Sequence, residues 1–406
     1  MSLFSLAQRP AEWAGFDAKA ARGHRLQSST RPERVFVRGQ GSWLWDDTGR
    51  AYLDFTQGLG VNSLGHSPSA LVEALQAQAR ELVNPGARWE HQGELALLQQ
   101  LCRATESDFG YLLGTGSEAC EAAVLLARQW GETHRRGAFG IITAQGGCHG
   151  HGLGARSSTA RLRHGPGLQG FTQVPFNDLP ALCAAINTDT VAIMLEPVQG
   201  EAGVRPAEVE YLQGVERLCR ELGILLILDE VGTGVGRCGT MLAEQHYQVR
   251  ADILTLGKGL GGGVGLAAVL TRERARALRL ADFAGSHHGN PLACAAGRAV
   301  LQAVPELLGR VDDRGRHLRD GLSRLAQRYG LPVPRGLGLL WGLPLPQSDA
   351  AQVASAALQE GLLLDAPQAD ALRFTPALCV SRGNIDDMLA RLGRALARVR
   401  TAQLGR

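Results

Sequence analysis

Two residues with complementary chemistry follow short apolar segments of the chain. Asp229 ends the run Ile-Leu-Leu-Ile-Leu-Asp, and Lys258 stands 29 positions later in Thr-Leu-Gly-Lys-Gly-Leu-Gly-Gly-Gly. In an open α/β sheet, active groups gather beyond the carboxyl ends of strands. A carboxylate there can keep a pyridine nitrogen protonated, and a lysine amine can form an imine and later move a proton. Taken alone, such an Asp is as often a helix cap or turn former, and a Lys among glycines is usually solvated.

A third segment has the pattern of a helix start that could hold an anion. Thr115 and Glu118 have the spacing of a capping box before a run of good helix formers. The free amides of Gly116 and Ser117 would then point out of the helix N-terminus, where a phosphate is stabilised. Without the other motifs, an ordinary capped helix is the simpler interpretation.

These candidate residues require a sheet that brings distant parts of the chain together. From about Gly93 onward, helix-like and strand-like stretches alternate, which is the pattern of an α/β domain. Short apolar runs bounded by Gly and charged residues predict strands buried on both faces of a mostly parallel sheet. We expect strands at 111–113, 140–143, 191–195, 224–229, 253–256 and 266–270, and helices at 94–102 and 117–131.

The two ends of the chain predict a smaller α+β part. Residues 35–55 indicate two strands around an Asp-Asp-Thr-Gly turn. The C-terminal part contains helical stretches, which we place at 312–329, 349–359 and 385–401. We therefore predict a large domain over 61–300 and a small domain built from 1–60 and 301–406.

Composition and charge narrow the class of protein. The chain has 406 residues, of which 45% are hydrophobic and 20% charged. This composition is typical of soluble globular proteins, and this length predicts more than one domain. A net charge of +3, with Arg spread along the chain, predicts no nucleic-acid partner. No apolar run is long enough for a membrane span, and eight Cys without a C-x-x-C pair predict reduced thiols in a cytoplasmic protein. The pairs His149/His151 and His287/His288 lack further ligands at metal-site spacing, so we expect no metal.

Beyond these local patterns, the order of motifs resembles the class III aminotransferases, and most closely their acetylornithine aminotransferase branch. The similarity extends from YLDFTQGLGVNSLGHSPSALVEAL through EPVQGEAGV, ILDEVGTGVGRCG, TLGKGLGGGV and GNPLACAA to LRFTPAL. The resemblance implies a fold type I enzyme that uses pyridoxal 5'-phosphate and forms a homodimer with shared active sites. It also implies transfer of a terminal amino group from an ornithine-like or other amine donor to 2-oxoglutarate.

The same resemblance implies roles for individual residues. Lys258 would be the Schiff-base lysine, Asp229 the partner of the cofactor's ring nitrogen, and Val231 a contact on one ring face. The other implied cofactor contacts are Thr115, Gly116 and Ser117 at the phosphate, Ser286 toward the neighbouring subunit's phosphate, and Cys148, His149 and Gly232 around the ring. The implied substrate contacts are Arg373, which would clamp a carboxylate, Glu201, which could mask that Arg, and His151 and Gly285.

Three positions depart from the pattern of that family. Cys148 stands where an aromatic ring normally stacks on the cofactor, Gly232 where a Gln would bond its phenolic oxygen, and His151 where an Arg would help to bind the donor's α-carboxylate. Because Cys148 and Gly232 remove volume beside the ring, we predict a donor bulkier than acetylornithine. The alternatives are a catalytically altered or inactive paralogue and a same-fold aminomutase or decarboxylase. Intact Lys258, Asp229, Arg373 and Glu201 favour an active aminotransferase over an inactive paralogue. An aminomutase or decarboxylase would share Lys258 and Asp229, and dependence on 2-oxoglutarate separates these alternatives.

Overall fold

The computed structural model describes residues 17–26, 32–159, 166–275, 283–346 and 349–404. The helices are α1 (Ala18–Arg22), α2 (Gln57–Gly60), α3 (Ser69–Glu81), α4 (Gln92–Thr105), α5 (Gly116–His134), α6 (Leu153–Ser158), α7 (Leu179–Ala185), α8 (Val209–Glu221), α9 (Glu244–Tyr247), α10 (Pro291–Tyr329), α11 (Ala350–Gln359) and α12 (Arg382–Leu404). The strands are β1 (Phe36–Gln40), β2 (Trp43–Asp46), β3 (Ala51–Asp54), β4 (Phe109–Leu113), β5 (Gly140–Ala144), β6 (Phe171–Val174), β7 (Thr190–Leu195), β8 (Val198–Gln199), β9 (Arg205–Pro206), β10 (Leu225–Asp229), β11 (Ile253–Leu256), β12 (Ala267–Thr271), β13 (Arg335–Leu337), β14 (Leu340–Pro344), β15 (Leu362–Leu363), β16 (Asp365–Gln368) and β17 (Ala371–Phe374).

A seven-stranded sheet forms the centre of the described structure, in the order β4-β12-β11-β10-β7-β5-β6. Neighbouring strands are parallel from β11 to β6, whereas β12 runs antiparallel to both β11 and β4. Along β10, Leu225 and Ile227 belong to the apolar core that includes α5, and Leu226 and Leu228 to the core that includes α8. The strand is therefore buried on both faces, as its continuous apolar run predicts. This largely parallel α/β sheet confirms the predicted fold class, and its predicted strands differ by at most one or two residues at either end.

The carboxyl ends of β4, β5, β7, β10 and β11 meet at one edge of this sheet. Strand β4 shares the direction of β11 because both are antiparallel to β12. The five strands end at Leu113, Ala144, Leu195, Asp229 and Leu256. The loops that follow them therefore converge, although they are far apart in the sequence.

The two ends of the chain contribute two four-stranded sheets, β1-β2-β3-β15 and β13-β14-β17-β16. In the first sheet, Leu362 of β15 pairs in parallel with Leu53 of β3. A strand from the C-terminal part thus completes the N-terminal sheet, which supports our proposal of one small lobe built from both ends. Helix α10 continues through residue 300, where we placed a domain limit, and the domain limits remain a prediction.

Two elements differ from the sequence-based expectation. The segment expected to hold two strands holds three, because Gly41 adopts a φ of 56° and turns the chain between β1 and β2. The helix expected to begin at residue 312 begins at Pro291, where the Asn290 side chain caps its first turn. A capping Asn followed by Pro is a strong signal for a helix start. Among the described residues no helix, α10 included, combines the length and the apolar character that a membrane span requires.

Candidate active site

A pocket of about 200 Å³ lies at the sheet edge where these strands end. Most of the residues predicted for the site line it: Gly116, Ser117, Cys148, His149, His151, Glu201, Asp229, Val231, Gly232, Lys258 and Arg373. Three predicted residues do not line it, namely Thr115, Gly285 and Ser286. The structure therefore brings the two chemically complementary residues of the sequence, Asp229 and Lys258, into one cavity.

Lys258 enters the pocket from a 3₁₀ turn that follows β11. Its φ of 40° is uncommon for a residue other than glycine, and such backbone conformations cluster at functional sites. A Cβ atom built on Gly232 would lie 3.3 Å from the Lys258 amine. Without a side chain, Gly232 therefore allows that amine to lie close to the backbone.

Asp229 is buried at the end of β10, and four groups donate hydrogen bonds to its carboxylate. Oδ2 accepts from Nδ1 of His149 at 2.8 Å and from the Cys120 thiol at 3.2 Å. Oδ1 accepts from the backbone N–H of Val231 and from the Thr255 hydroxyl, each at 3.0 Å. Burial works to raise the pKa of Asp229, but the hydrogen bond from His149 and the other donors bring this pKa below its ordinary value. The pocket thus contains a negative charge suited to a protonated ring nitrogen.

Two ionisable residues of the pocket were not predicted from the sequence. Glu196 directly follows β7, and its Oε2 accepts a hydrogen bond from the backbone N–H of Cys148 at 2.8 Å. Burial raises the pKa of Glu196 to about 7, with His149 opposing this rise and Asp229 adding to it. Glu196 could have been predicted from its position, because it directly follows a strand whose carboxyl end lies at this edge of the sheet. Cys120, the second residue, lies on α5, and no local pattern indicates its contact with Asp229.

The N-terminus of α5 forms the wall of the pocket that suits a phosphate. Thr115 caps the helix, because its hydroxyl accepts a hydrogen bond from the N–H of Glu118 at 3.2 Å, as the capping-box spacing predicts. A Cβ on Gly116 would lie 2.6 Å from Cγ1 of Val231, so this position requires glycine. The amides of Gly116 and Ser117 are in the first turn, where helix amides have no partner within the helix.

The loop after β5 is held against this helix start. The backbone N–H of His151 donates a hydrogen bond to the Ser117 hydroxyl at 3.1 Å. Gly150 has a φ of 118°, and a Cβ there would lie 2.8 Å from Oγ of Ser117. The loop that carries Cys148 and the helix start predicted to bind phosphate therefore form one wall of the pocket.

Arg373 is buried on β17 and contacts two carboxylates. Its Nη1 donates a hydrogen bond to Glu201 at 2.7 Å, the contact that the resemblance implied. Its Nε donates to Oδ2 of Asp365 at 2.8 Å, and its Nη2 lies 2.6 Å from the same oxygen. Burial works to lower the pKa of Arg373, but Asp365 and Glu201 together raise it above its ordinary value. Asp365 was not predicted from the sequence.

Gly285 and Ser286 lie on a loop outside the pocket. The backbone N–H of Gly285 donates a hydrogen bond to Nδ1 of His288 at 2.9 Å, and the Asn84 side chain donates to the carbonyl of Ser286 at 3.0 Å. Nε2 of His288 lies 3.3 Å from the carboxylate of Glu118, so this loop also contacts the start of α5. Ser286 is exposed, and its contact with a neighbouring subunit remains a prediction.

The residues of this pocket fit pyridoxal phosphate. Lys258 would supply an amine for the aldehyde, ionised Asp229 would be a partner for the ring nitrogen, and the start of α5 would offer amides to the phosphate. Gly116 adds no side chain at this helix start, where a Cβ would lie 2.6 Å from Cγ1 of Val231.

Comparison with known proteins shows the family to which this chain belongs. The family model "Aminotransferase class-III" matches residues 26–396. The chain is 44% identical to acetylornithine aminotransferase 2 of Bordetella bronchiseptica, over 92% of this chain and 97% of that protein, and 42% identical to the acetylornithine aminotransferase of Ralstonia nicotianae, over 90% and 94%. The solved N-acetylornithine aminotransferase from Stenotrophomonas maltophilia has a TM-score of 0.82 and 34% identity, over 92% of this chain and 98% of its own. The ornithine aminotransferase from Toxoplasma gondii has a TM-score of 0.90 and 29% identity, over 94% of both chains. The chain therefore belongs to the class-III aminotransferase family, whose members depend on pyridoxal phosphate.

Proposed function

We propose that this transaminase moves a terminal amino group from an acetylornithine-type donor, or a bulkier relative of it, to 2-oxoglutarate. The observation that carries the proposal is the convergence of Lys258, ionised Asp229 and Arg373 on one pocket. Relatives that align over nearly the whole chain are named acetylornithine aminotransferases, which supports this donor class.

The residues of the pocket have separate tasks in this reaction. When bound, pyridoxal phosphate supplies an electron sink that stabilises negative charge on the substrate carbon. Asp229 keeps a proton on the ring nitrogen, because its own pKa is low and it accepts rather than donates. The amine of Lys258 would carry a proton to and from the substrate carbon.

Arg373 and Glu201 would allow one pocket to accept two substrates. In the structure, Glu201 covers Nη1 of Arg373, which suits a donor that presents no carboxylate at this point. When Glu201 turns away, Arg373 can bind a carboxylate of 2-oxoglutarate through two parallel hydrogen bonds. The acceptor would thus bind only after Arg373 is uncovered.

We also propose a homodimer in which each subunit contributes to the partner's site. Ser286 lies outside its own pocket and is exposed, and Asn84, which contacts it, follows the exposed apolar residues Leu82 and Val83. Trp89 is 71% exposed, although a large aromatic side chain is normally buried or in an interface. Light scattering of the purified protein should give twice the chain mass, and a fully active monomer would contradict the proposal.

A cytoplasmic location is the last part of the proposal. In the described structure, seven cysteines are thiols outside any disulfide, which suits a reducing compartment: Cys102, Cys120, Cys183, Cys219, Cys238, Cys294 and Cys379. Fractionation of cells should recover the protein with cytoplasmic markers, and recovery with extracytoplasmic markers would contradict this location.

The absorption spectrum of the protein with pyridoxal phosphate tests the reaction. A competent donor should remove the visible band of the lysine-bound cofactor, and 2-oxoglutarate should restore it. The donors to compare are acetylornithine, ornithine and bulkier terminal amines. If every amine leaves the band unchanged, a non-catalytic protein becomes the better interpretation. If products form without 2-oxoglutarate, an aminomutase or a decarboxylase becomes the better interpretation.

The lysine content of the chain allows a direct test of the covalent link. The sequence contains two lysines, Lys19 and Lys258, and Lys19 is exposed on α1. Borohydride reduction followed by peptide mass spectrometry should therefore place the cofactor on Lys258. Lys19→Arg should keep both the label and the activity, whereas Lys258→Ala should lose both. A label found on Lys19 alone would contradict the assignment.

A further inference from the structure

Arg373 has one carboxylate partner that is held by the sheet and one that is not. Asp365 lies directly opposite Arg373 in the antiparallel pairing of β16 with β17, so the sheet register fixes its position. Glu201 lies on the turn between β8 and β9, and its side chain is 30% exposed, against 19% for Asp365. The backbone carbonyl of Glu201 accepts a hydrogen bond from the Gln368 side chain, which anchors the turn. Of the two partners, Glu201 is the more exposed, and Asp365 is the one that strand pairing holds opposite Arg373.

The fixed partner determines which edge of the guanidinium group remains for a substrate. Asp365 takes the edge formed by Nε and Nη2 through one oxygen, Oδ2. An arginine has five N–H groups. With Glu201 turned away, the edge formed by Nη1 and the second N–H of Nη2 can accept a carboxylate end-on in a bidentate pair. Asp365 therefore orients Arg373 for a single mode of carboxylate binding.

The same partner also changes the charge that a substrate meets. With Glu201 turned away, Arg373 and Asp365 together carry no net charge, whereas Arg373 alone would carry one positive charge. Arg373 is only 4% exposed, so water screens this difference poorly. A substrate carboxylate is therefore attracted less strongly than it would be by an unpaired arginine.

We propose that Asp365 is a specificity-determining residue, which orients Arg373 for end-on carboxylate binding and weakens its affinity for dicarboxylates such as 2-oxoglutarate and glutamate. This inference rests on the proposed function, because it assigns Arg373 to the carboxylate of the acceptor. The consequence is a pocket in which the amine donor competes well against the dicarboxylate.

Asp365→Asn separates the effect of Asp365 on the orientation of Arg373 from the effect of its negative charge. Since a single oxygen of Asp365 accepts both hydrogen bonds from Arg373, the amide oxygen of Asn can accept both, and only the charge is lost. Asp370→Asn is the matched control, because Asp370 is exposed in the turn of the same hairpin, where its charge acts on Arg335. Two measurements are made on each protein. One is the half-reaction with L-glutamate, followed by rapid-mixing absorbance, and the other is calorimetric binding of glutarate, a dicarboxylate that cannot be transaminated.

For Asp365→Asn we expect two constants to fall about ten-fold: the half-saturating concentration of L-glutamate and the dissociation constant of glutarate. The reason is the loss of one negative charge beside Arg373 in a poorly solvated site. The limiting rate should stay within about two-fold, because the reacting atoms are unchanged. The inference would be overturned if the half-saturating concentration of L-glutamate and the dissociation constant of glutarate stayed the same or rose in Asp365→Asn. It would also be overturned if both fell equally in Asp370→Asn. If the unaltered protein shows no absorbance change with L-glutamate, the proposed function fails, whereas glutarate binding still tests the charge effect of Asp365.

Discussion

Nδ1 of His149 lies 2.8 Å from Oδ2 of Asp229, and both side chains are almost completely buried. A carboxylate can only accept hydrogen bonds, so the ring proton of His149 is on Nδ1. This contact is a main cause of the low pKa of Asp229 in the folded chain. Because the folded pKa lies below the unfolded one, the stability that Asp229 contributes is present above about pH 4 and is lost as the pH falls further.

His149→Ala should shift the acid limb of the activity profile to higher pH. Without the hydrogen bond from His149, burial dominates and the pKa of Asp229 rises, so a higher pH is needed to keep it ionised. We expect a shift of about one pH unit and a loss of about 1–3 kcal/mol in the free energy of unfolding. The measurements are kcat/KM against pH and urea unfolding. His149→Asn keeps a hydrogen-bond donor close to the position of Nδ1, so it should shift the acid limb of the profile less. An unchanged acid limb in His149→Ala would show that His149 does not lower the pKa of Asp229.

Glu196→Gln should stabilise the protein at neutral and alkaline pH. The pKa of Glu196 is raised to about 7 by burial, so the folded chain binds a proton there that the unfolded chain has released. The stability from this proton is fully present below about pH 4.5 and is lost as the pH rises to about 7. Gln is neutral throughout and its oxygen can accept the N–H of Cys148.

The stability difference between Glu196→Gln and the unaltered protein should therefore grow across this pH range. We expect the variant to be more stable by about 1–3 kcal/mol at pH 8 and about equally stable at pH 4.5. Urea unfolding of both proteins without cofactor measures the difference. A constant difference across the range would show that Glu196 titrates alike in the folded and unfolded chain.

Gly116→Ala should reduce both stability and cofactor affinity. The new Cβ would lie 2.6 Å from Cγ1 of Val231, and overpacking of this kind costs about 1–3 kcal/mol. The displaced helix start would no longer present its amides to the phosphate. Thermal unfolding and titration with pyridoxal phosphate measure the two effects.

Val231→Ala in the same chain removes the methyl groups that collide with the new Cβ. The double variant should therefore recover much of the stability that Gly116→Ala loses, which a double-mutant cycle quantifies. If the two changes are additive instead, the contact between residues 116 and 231 is not the cause of the loss.

Gly232→Gln and Cys148→Phe should narrow the range of donors. Both positions line the pocket, and a Cβ at Gly232 is already 3.3 Å from the Lys258 amine. A larger side chain at either position fills space that we assign to a bulky donor. Turnover of bulkier amines should fall at least about ten-fold, while turnover of acetylornithine is kept or improved. If the unaltered protein already converts acetylornithine as well as every bulkier amine, the assignment of this space is wrong.

The sequence alone determined the features of this protein that depend on residues close together in the chain. An apolar run that ends in Asp229, and a glycine-rich turn that carries Lys258, indicate strand ends because buried strands and tight turns have local composition rules. The cap of α5 by Thr115 was also readable, since capping involves residues only three positions apart. The order of the longer motifs indicated the family, which the comparisons confirm.

Tertiary structure decided the contacts that depend on how strands pair and where helices pack. Asp365 faces Arg373 only because β16 pairs with β17 in one register, and a shift of one residue would turn the carboxylate to the other face. Cys120 reaches Asp229 only because α5 packs across the sheet. Such contacts join residues distant in the chain, and no local pattern specifies them. The sequence therefore predicted the groups to which we assign the chemistry, while the packing of strands and helices set the charges and hydrogen bonds around them.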